Sequence, residues 1–390
     1  MPRQIRLGIA MTAGRTSTTD TFAAARALLA RHPLFDGHND LPWVIREAGR
    51  ADDLAGYDLG RVHAESDTDI PRLRQGAVAA QVFAAYLPTG IADPATVTLE
   101  QIDLVLRMEA LHADTFHPLR SPDDLATARA AGKIGSFLSV EGTVGLEGSL
   151  APLRIWHRLG VRLVTLCHNE TLPWVDSATD APTGTHKGLS DFGVRLIGEL
   201  NRLGVIVDLA HVAPHAMHVV LDVAQAPLAI SHSNAAALTS HPRNTPDDVL
   251  ARIPGNGGIV MATFVPEFLN EQSWQAVRPF KDAYGKSKPG LGADDLKAAR
   301  DGAIGGWNRS GVEFLCDHLE YLKSKVGEDH IGIGSDFYGG VNPPGLEDAS
   351  RFPAVVAALL DRGWSEPLVA KVIGGNFMRV WRQVAAAAGA

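Results

Sequence analysis

Cysteine is nearly absent: the 390-residue chain holds two, Cys167 and Cys316, and no Cys-x-x-Cys pair. That excludes a disulfide-framed scaffold, a zinc ribbon and a redox dithiol, and it fits a reducing compartment. No apolar run approaches about 18 residues, so no membrane-spanning helix is expected. The opening "MPRQIRLGIAMTAGRTSTTD" carries Arg3 and Arg6, but its apolar stretch "LGIAM" is short for a signal-peptide core. The closing "AAAAGA" is too short for a lipid-anchor signal. The expected location is therefore cytoplasmic, an export signal processed off beforehand being the alternative. Basic clusters are missing as well, and a net charge of -8 argues against a nucleic-acid or anionic-membrane surface. No GxxxxGK(S/T), HExxH or GxSxG occurs, which removes P-loop, zincin and serine-hydrolase readings. In "GIGSDFYGG" the last glycine of a dinucleotide loop is replaced by Phe337.

What is present is a series of short apolar runs bounded by turn residues. They are "LFDGHND" (34–40), "AVAAQVFAAYLP" (77–88), "IGSFLSVEG" (134–142), "VRLVTLCHN" (161–169), "VIVDLAH" (205–211), "PLAISHS" (227–233), "GGIVMATF" (257–264) and "HIGIGSDF" (330–337). Most are apolar on both faces, which suits buried parallel strands. Helical spacing fills several intervals, as in 98–116 and 191–204. Eight strands alternating with helices predict an α/β chain folded as a (β/α)8 TIM-type barrel. The interval 266–329 lacks a convincing strand and includes the polar loop "YGKSKPGLGADD", so a long insertion is expected after strand seven, at the mouth. Residues 1–33 read as a lead-in segment and 34–390 as a single barrel domain.

The polar residues at the ends of these runs carry the chemistry. His38 and Asp40 stand two apart in an extended chain and project to one side. Alone, a His-x-Asp in a chain with 15 histidines carries little weight. Further runs end in Glu141, His168, His211, His232 and Asp336, and the strand ends of such a barrel converge on one mouth. Buried strands do not repeatedly end in ionisable groups unless those groups share a partner. Imidazoles with carboxylates form the ligand set of a divalent transition metal, zinc above all. The number of ligands points to two ions: His38 and Asp40 on one, His211 and His232 on the other, Glu141 between them. His215 and His218 in "HVAPHAMH" fall on the helix after strand five, away from the ligands, and Cys316 reads as core.

Several motifs in order, "GHNDLPW", "SVEG", "NRLGVIVDLAHV", "SHS" with "RNTPDDVL", "GIGSDF" and "GLEDASRFP", resemble the membrane (renal) dipeptidase family of the amidohydrolase superfamily. The resemblance runs from about Phe35 to Trp381. It implies a distorted barrel holding two Zn2+ and hydrolysing dipeptides through a metal-bridging hydroxide, with a D-residue tolerated at the carboxyl-terminal position. It implies the same metal ligands, His168 as the contact to the scissile carbonyl, and Arg243 as the grip on the substrate carboxylate. Asp336 would carry the proton from water to the leaving amine. A homodimer is implied too. The departures lie around the substrate: Val144 where a histidine is frequent, Cys167 for a threonine, Thr263 and Val265 for Asn and Tyr, and Tyr338 for a second aspartate. They remove hydrogen-bond partners from the mouth. Two other readings use the same barrel: an N-acyl amino acid or lactone hydrolase with the same two ions, and a ligand-binding barrel without catalysis. A mouth carboxylate, Asp176 or Glu267, would favour the dipeptide.

Overall fold

The computed structural model describes residues 18–64, 66–180, 188–284 and 293–389. Its strands are β1 (Leu34–Asp36), β2 (Val78–Tyr86), β3 (Phe116–Pro118), β4 (Ile134–Glu141), β5 (Leu163–Thr165), β6 (Ile206–Asp208), β7 (Ala229–Ile230), β8 (Ile259–Ala262) and β9 (Ile331–Ile333). Every pairing is parallel, in the order β1-β2-β4-β5-β6-β7-β8-β9. Those eight strands are the eight apolar runs of the sequence, and they form a nearly closed barrel, consistent with a distorted TIM barrel. Between β9 and β1 the ring is joined by single contacts: the Gly37 N–H donates to the Ile333 carbonyl at 3.1 Å, and Asn39 bridges Phe337. The ninth strand, β3, was not expected. It pairs with Ile134–Ser136 at the start of β4, while β5 takes Ser139–Glu141 at its end.

Strands buried on both faces need cover on both sides. Inside, Phe35, Val82, Phe137, Ile206 and Met261 pack together with Phe377, Val380 and Trp381 of the helix Asn376–Ala386. Arg379 of that helix donates to the carbonyls of Gly257, Gly258 and Asp329, just before β8 and β9, so the helix seals the amino-terminal end of the barrel. The opposite end is left for chemistry. Outside run the crossover helices, among them Pro94–Leu111 and Asp191–Leu203; the second opens on a Ser190 cap and closes at Gly204, in the left-handed region. The helix Thr18–Arg31 lies against Phe352–Asp361, with Thr21 Oγ1 donating to Asp361 Oδ1 at 2.7 Å. The insertion between β8 and β9 is helical: Pro266–Leu269, Glu271–Tyr284, Ala293–Gly305 and Gly311–Val326. Residues 285–292 of the expected polar loop, and the first 17 of the lead-in, lie outside the described residues. Among the described residues no helix is long and apolar enough to cross a membrane.

Candidate active site

Each barrel strand runs out into a short segment over the carboxyl-terminal mouth, and the ionisable residues stand there. Glu141 ends β4, and Gly142, at φ +85°, turns the chain away behind it. The carboxylate divides the cluster. Its Oε2 lies 3.5 Å from His38 Nε2; its Oε1 lies 2.8 Å from His211 Nε2 and 3.5 Å from His232 Nε2. His38 Nε2 is 3.4 Å from Asp40 Oδ1, and the His211 and His232 Nε2 atoms are 3.1 Å apart. Donor atoms of His38, Asp40 and Asp336 lie within 4.8 Å of one another, as do those of Glu141, His168 and His211, and those of His38, Glu141 and His232. The structure thus brings together all seven strand-end residues.

This donor set fits divalent transition metals. A tetrahedral ion with ligands at about 2.0–2.1 Å spaces neighbouring donors by about 3.3 Å, and the spacings here, 2.8–3.5 Å, straddle that value. Both His38 nitrogens and Asp40 Oδ1 are buried without a hydrogen-bond partner. Leaving such atoms orphaned costs about 1–3 kcal/mol apiece, a cost that a cation would remove.

Burial and mutual charge dominate the electrostatics. Burial pushes Asp336 up to about 8, reinforced by Asp40 and Glu141 and opposed by His38 and Arg243. Burial also raises Glu141, with His38 pulling the other way. It would lower His38, but the flanking Glu141 and Asp40 carboxylates hold that ring well above the ordinary imidazole value. His211 and His232 go the other way, held well below it by burial and by the neighbouring Arg243 and imidazoles. A neutral ring is what a metal requires. The His211 Nδ1–H donates to Asn169 Oδ1 at 3.1 Å, which leaves Nε2 bare toward Glu141.

Arg243 reaches the mouth from the segment after β7 and is 4 % exposed. Its guanidinium stacks over Phe268 at 5.2 Å, and Nη2 donates to the His232 carbonyl at 3.3 Å. Nε is buried without a partner, and no carboxylate among the described residues pairs with the group. A guanidinium offers a fork of donors suited to a carboxylate. His168 stands between His211, 4.3 Å away ring to ring, and Tyr86, 4.8 Å away edge-on. Sequence reasoning missed Tyr86 and Phe268. The signal for Tyr86 was its place at the end of a buried run; none marked Phe268.

The departing residues are turned to internal duties. Thr263 Oγ1 donates to the Ser335 carbonyl, Cys167 Sγ to the Asp176 carbonyl, and the Tyr338 hydroxyl lies 2.7 Å from Ser66 Oγ and accepts from the Thr68 N–H. Val265 is buried, and Val144 packs on the core. Neither mouth carboxylate considered from the sequence is free. Asp176 holds His215 at 2.8 Å, and Glu267 takes Nε of Arg300, on the insertion, at 2.6 Å. His215 and His218 lie on the helix Pro214–Val223, apart from the ligands, and Cys316 is core. A cavity of about 510 Å³ lined by Ala224, Pro227, Arg252 and Asn256 lies at the other end of the barrel and holds none of these groups.

A parallel barrel with imidazoles and carboxylates converging on its mouth defines a metallohydrolase of the amidohydrolase type. Comparison with known proteins narrows the class. The family model for membrane dipeptidase (peptidase family M19) matches residues 22–390, and the chain belongs to that family. It is similar to an uncharacterised dipeptidase of Schizosaccharomyces pombe, 34% identical over 374 residues, covering 92% of this chain and 82% of the relative. Among solved structures it resembles a metallopeptidase of Rhodobacter sphaeroides liganded with a phosphinate mimic of the dipeptide L-Ala-D-Ala, at 26% identity and TM-score 0.73 over 90% of this chain and 99% of that one. The fold is also that of the probable dipeptidase PvdM of Pseudomonas aeruginosa, at TM-score 0.81 and 24% identity over 95% of this chain and 100% of that one.

Proposed function

We propose that the barrel domain, residues 34–390, is a two-zinc dipeptidase cleaving L-Xaa-L-Xaa and L-Xaa-D-Xaa dipeptides. The observation that carries the substrate class is Arg243, a buried guanidinium beside the ligand cluster that pairs with no carboxylate among the described residues. Its demand for a free carboxylate suits the carboxyl end of a very short peptide. Acceptance of a D-residue draws on the ligand of the Rhodobacter relative. His38 and Asp40 would hold one ion, His211 and His232 the other, with Glu141 presenting one oxygen to each. Two unpaired, buried cysteines support a reducing, cytoplasmic setting.

Bound there, zinc would lower the pKa of a water toward neutrality and polarise the peptide carbonyl. The residues supply the rest. Arg243 anchors the carboxylate end, which fixes the scissile carbonyl under the cluster. His168 donates a hydrogen bond to the carbonyl oxygen as charge gathers on it. Asp336, in its ionised form, accepts a proton from the attacking water at a carboxylate oxygen. It then delivers that proton to the departing amine as the C–N bond breaks, giving an amino acid carboxylate and a free amine.

The test compares metal-free with zinc-reconstituted protein on L,L and L,D dipeptides and on carboxyl-amidated versions. Zinc-restored cleavage is expected, together with a KM at least tenfold higher for amidated substrates. In Arg243→Ala that difference should vanish, because a hydrogen-bonded charge contact is worth about 1.5–3 kcal/mol. Two bound zinc ions without dipeptide cleavage would move the substrate to N-acyl amino acids and lactones.

A further inference from the structure

Two buried aspartates stand one shell behind the metal-site residues, and their hydrogen bonds are copies of each other. At the end of β6, Asp208 takes both donors of Ser231, the backbone N–H on Oδ1 at 2.8 Å and the hydroxyl on Oδ2 at 2.7 Å. At the end of β1, Asp36 takes both donors of Ser335, the N–H on Oδ1 at 2.7 Å and the hydroxyl on Oδ2 at 2.6 Å. All four residues are fully buried. Each serine immediately precedes a site residue, His232 in one case and Asp336 in the other.

The remaining bonds tie each aspartate to a different half of the cluster. Asp208 Oδ1 also accepts the N–H of Ala210, the residue before His211, at 3.2 Å, and Oδ2 accepts the Thr165 hydroxyl at 2.6 Å. Having donated to Asp208, Ser231 Oγ offers a lone pair to His232 Nδ1 at 2.8 Å. A proton held on Nδ1 leaves Nε2 bare and turned toward Glu141 and His211. Asp36 serves the other side. The Ser335 hydroxyl lies 3.2 Å from the His38 carbonyl, and the Asp336 N–H donates to that same carbonyl at 3.3 Å. Gln81 Nε2 completes the Asp36 shell at 2.8 Å. None of these bonds passes from one half to the other.

We infer that Asp208 and Asp36 are positioning residues, one for each half of the site. Asp208 sets His211 and His232, Asp36 sets His38 and Asp336, and the affinities of the two metal positions are therefore tuned separately. The inference rests on the two-ion reading above. An amide cannot replace either carboxylate, since Asn offers one acceptor oxygen and turns an NH2 against a serine donor. Loss of such an outer partner lowers metal affinity by about 10–100-fold.

The experiment measures zinc content and stepwise zinc affinity by chelator competition. It uses the wild type, Asp208→Asn and Asp36→Asn, with His211→Ala and Asp40→Ala marking which step belongs to which half. Asp208→Asn should weaken the step that His211→Ala abolishes, about 10–100-fold, and leave the other alone; Asp36→Asn should do the reverse. Ser231→Ala and Ser335→Ala keep both carboxylates and repeat each effect more weakly, which covers an aspartate variant that fails to fold. Equal weakening of both steps by either substitution, or of neither, overturns the inference. A wild type that binds a single ion defeats the two-ion reading instead. The Asp208–Ser231–His232 chain is then read from His232 in metal-free protein by nitrogen NMR: an Nδ1–H tautomer that Ser231→Ala disturbs upholds the inference, and an undisturbed ring overturns it.

Discussion

At the scale of the residue, the site stores strain where two of its strand-end residues turn. His211 and Asp336 both lie at positive φ, +71° and +61°, a region that side chains other than glycine enter at a cost. Hydrogen bonds on either side hold them there: Ala178 N–H reaches the His211 carbonyl at 2.7 Å, and Asp67 accepts the Tyr338 N–H at 3.1 Å. Gly339 completes the fit around Asp336, because a Cβ at that position would lie 2.5 Å from Asp336 Oδ1. Gly339→Ala should therefore displace the carboxylate. Expected is a fall in kcat on the order of 10²-fold, as for other displaced catalytic groups, with KM and zinc content unchanged. Unaltered kcat would mean that Asp336 does not carry the proton. The seven strand-end residues were legible because each interrupts a buried run with an ionisable group. Phe268 was not, since an aromatic on a short helix reads as core until the fold sets Arg243 over it.

Elements fix how firmly the insertion sits over the mouth. His318, on Gly311–Val326, is buried; its Nε2–H donates to the Leu269 carbonyl at 3.0 Å and its Nδ1 accepts the Ala235 N–H at 3.2 Å. One ring thus joins the first and last helices of the insertion and ties them to the segment after β7, and it does so only while neutral. Burial lowers its pKa to about 4, against 6.5 for the free side chain. A folded value below the unfolded one gives stability that is complete above pH 6.5 and is lost as pH falls toward 4. The loss amounts to roughly 3 kcal/mol over that window. Denaturation midpoints at pH 7 and 4.5 should differ less in His318→Gln than in the wild type; equal pH dependence in both would clear His318 of the effect. Elements were also where the sequence was least explicit. β3 is three residues ending in Pro118, without period or propensity, and exists because the start of β4 offers an open edge. The helix expected over 98–116 runs from Pro94 to Leu111, since a proline in the first turn favours an earlier start and Phe116 is claimed by β3. The runs read as 205–211 and 227–233 shorten to Ile206–Asp208 and Ala229–Ile230 because their last residues leave the sheet to reach the metal site.

For the whole molecule, the eight strands followed from periodicity and the insertion from the want of a strand over 266–329, whereas its helices and the closure of the ring depend on contacts between distant segments that no local pattern announces. Zinc should bind across that architecture and stabilise it. An ion present at 100 times its dissociation constant adds about 2.7 kcal/mol, so calorimetry should show an unfolding midpoint that climbs with free zinc and drops on chelation. A midpoint indifferent to zinc would separate the cluster from the fold. The seam between β9 and β1 carries a consequence in time. His38 and Asp336 stand about 300 positions apart in the sequence and meet only across that seam. At roughly 5–20 residues per second, a ribosome needs about 15–60 s to pass from one to the other. Throughout that interval the growing chain has His38 and Asp40 but no partner strand to complete their half of the mouth. On the role proposed for Asp336, peptide hydrolysis waits for the last barrel strand, and the chain stays inert for most of its own synthesis.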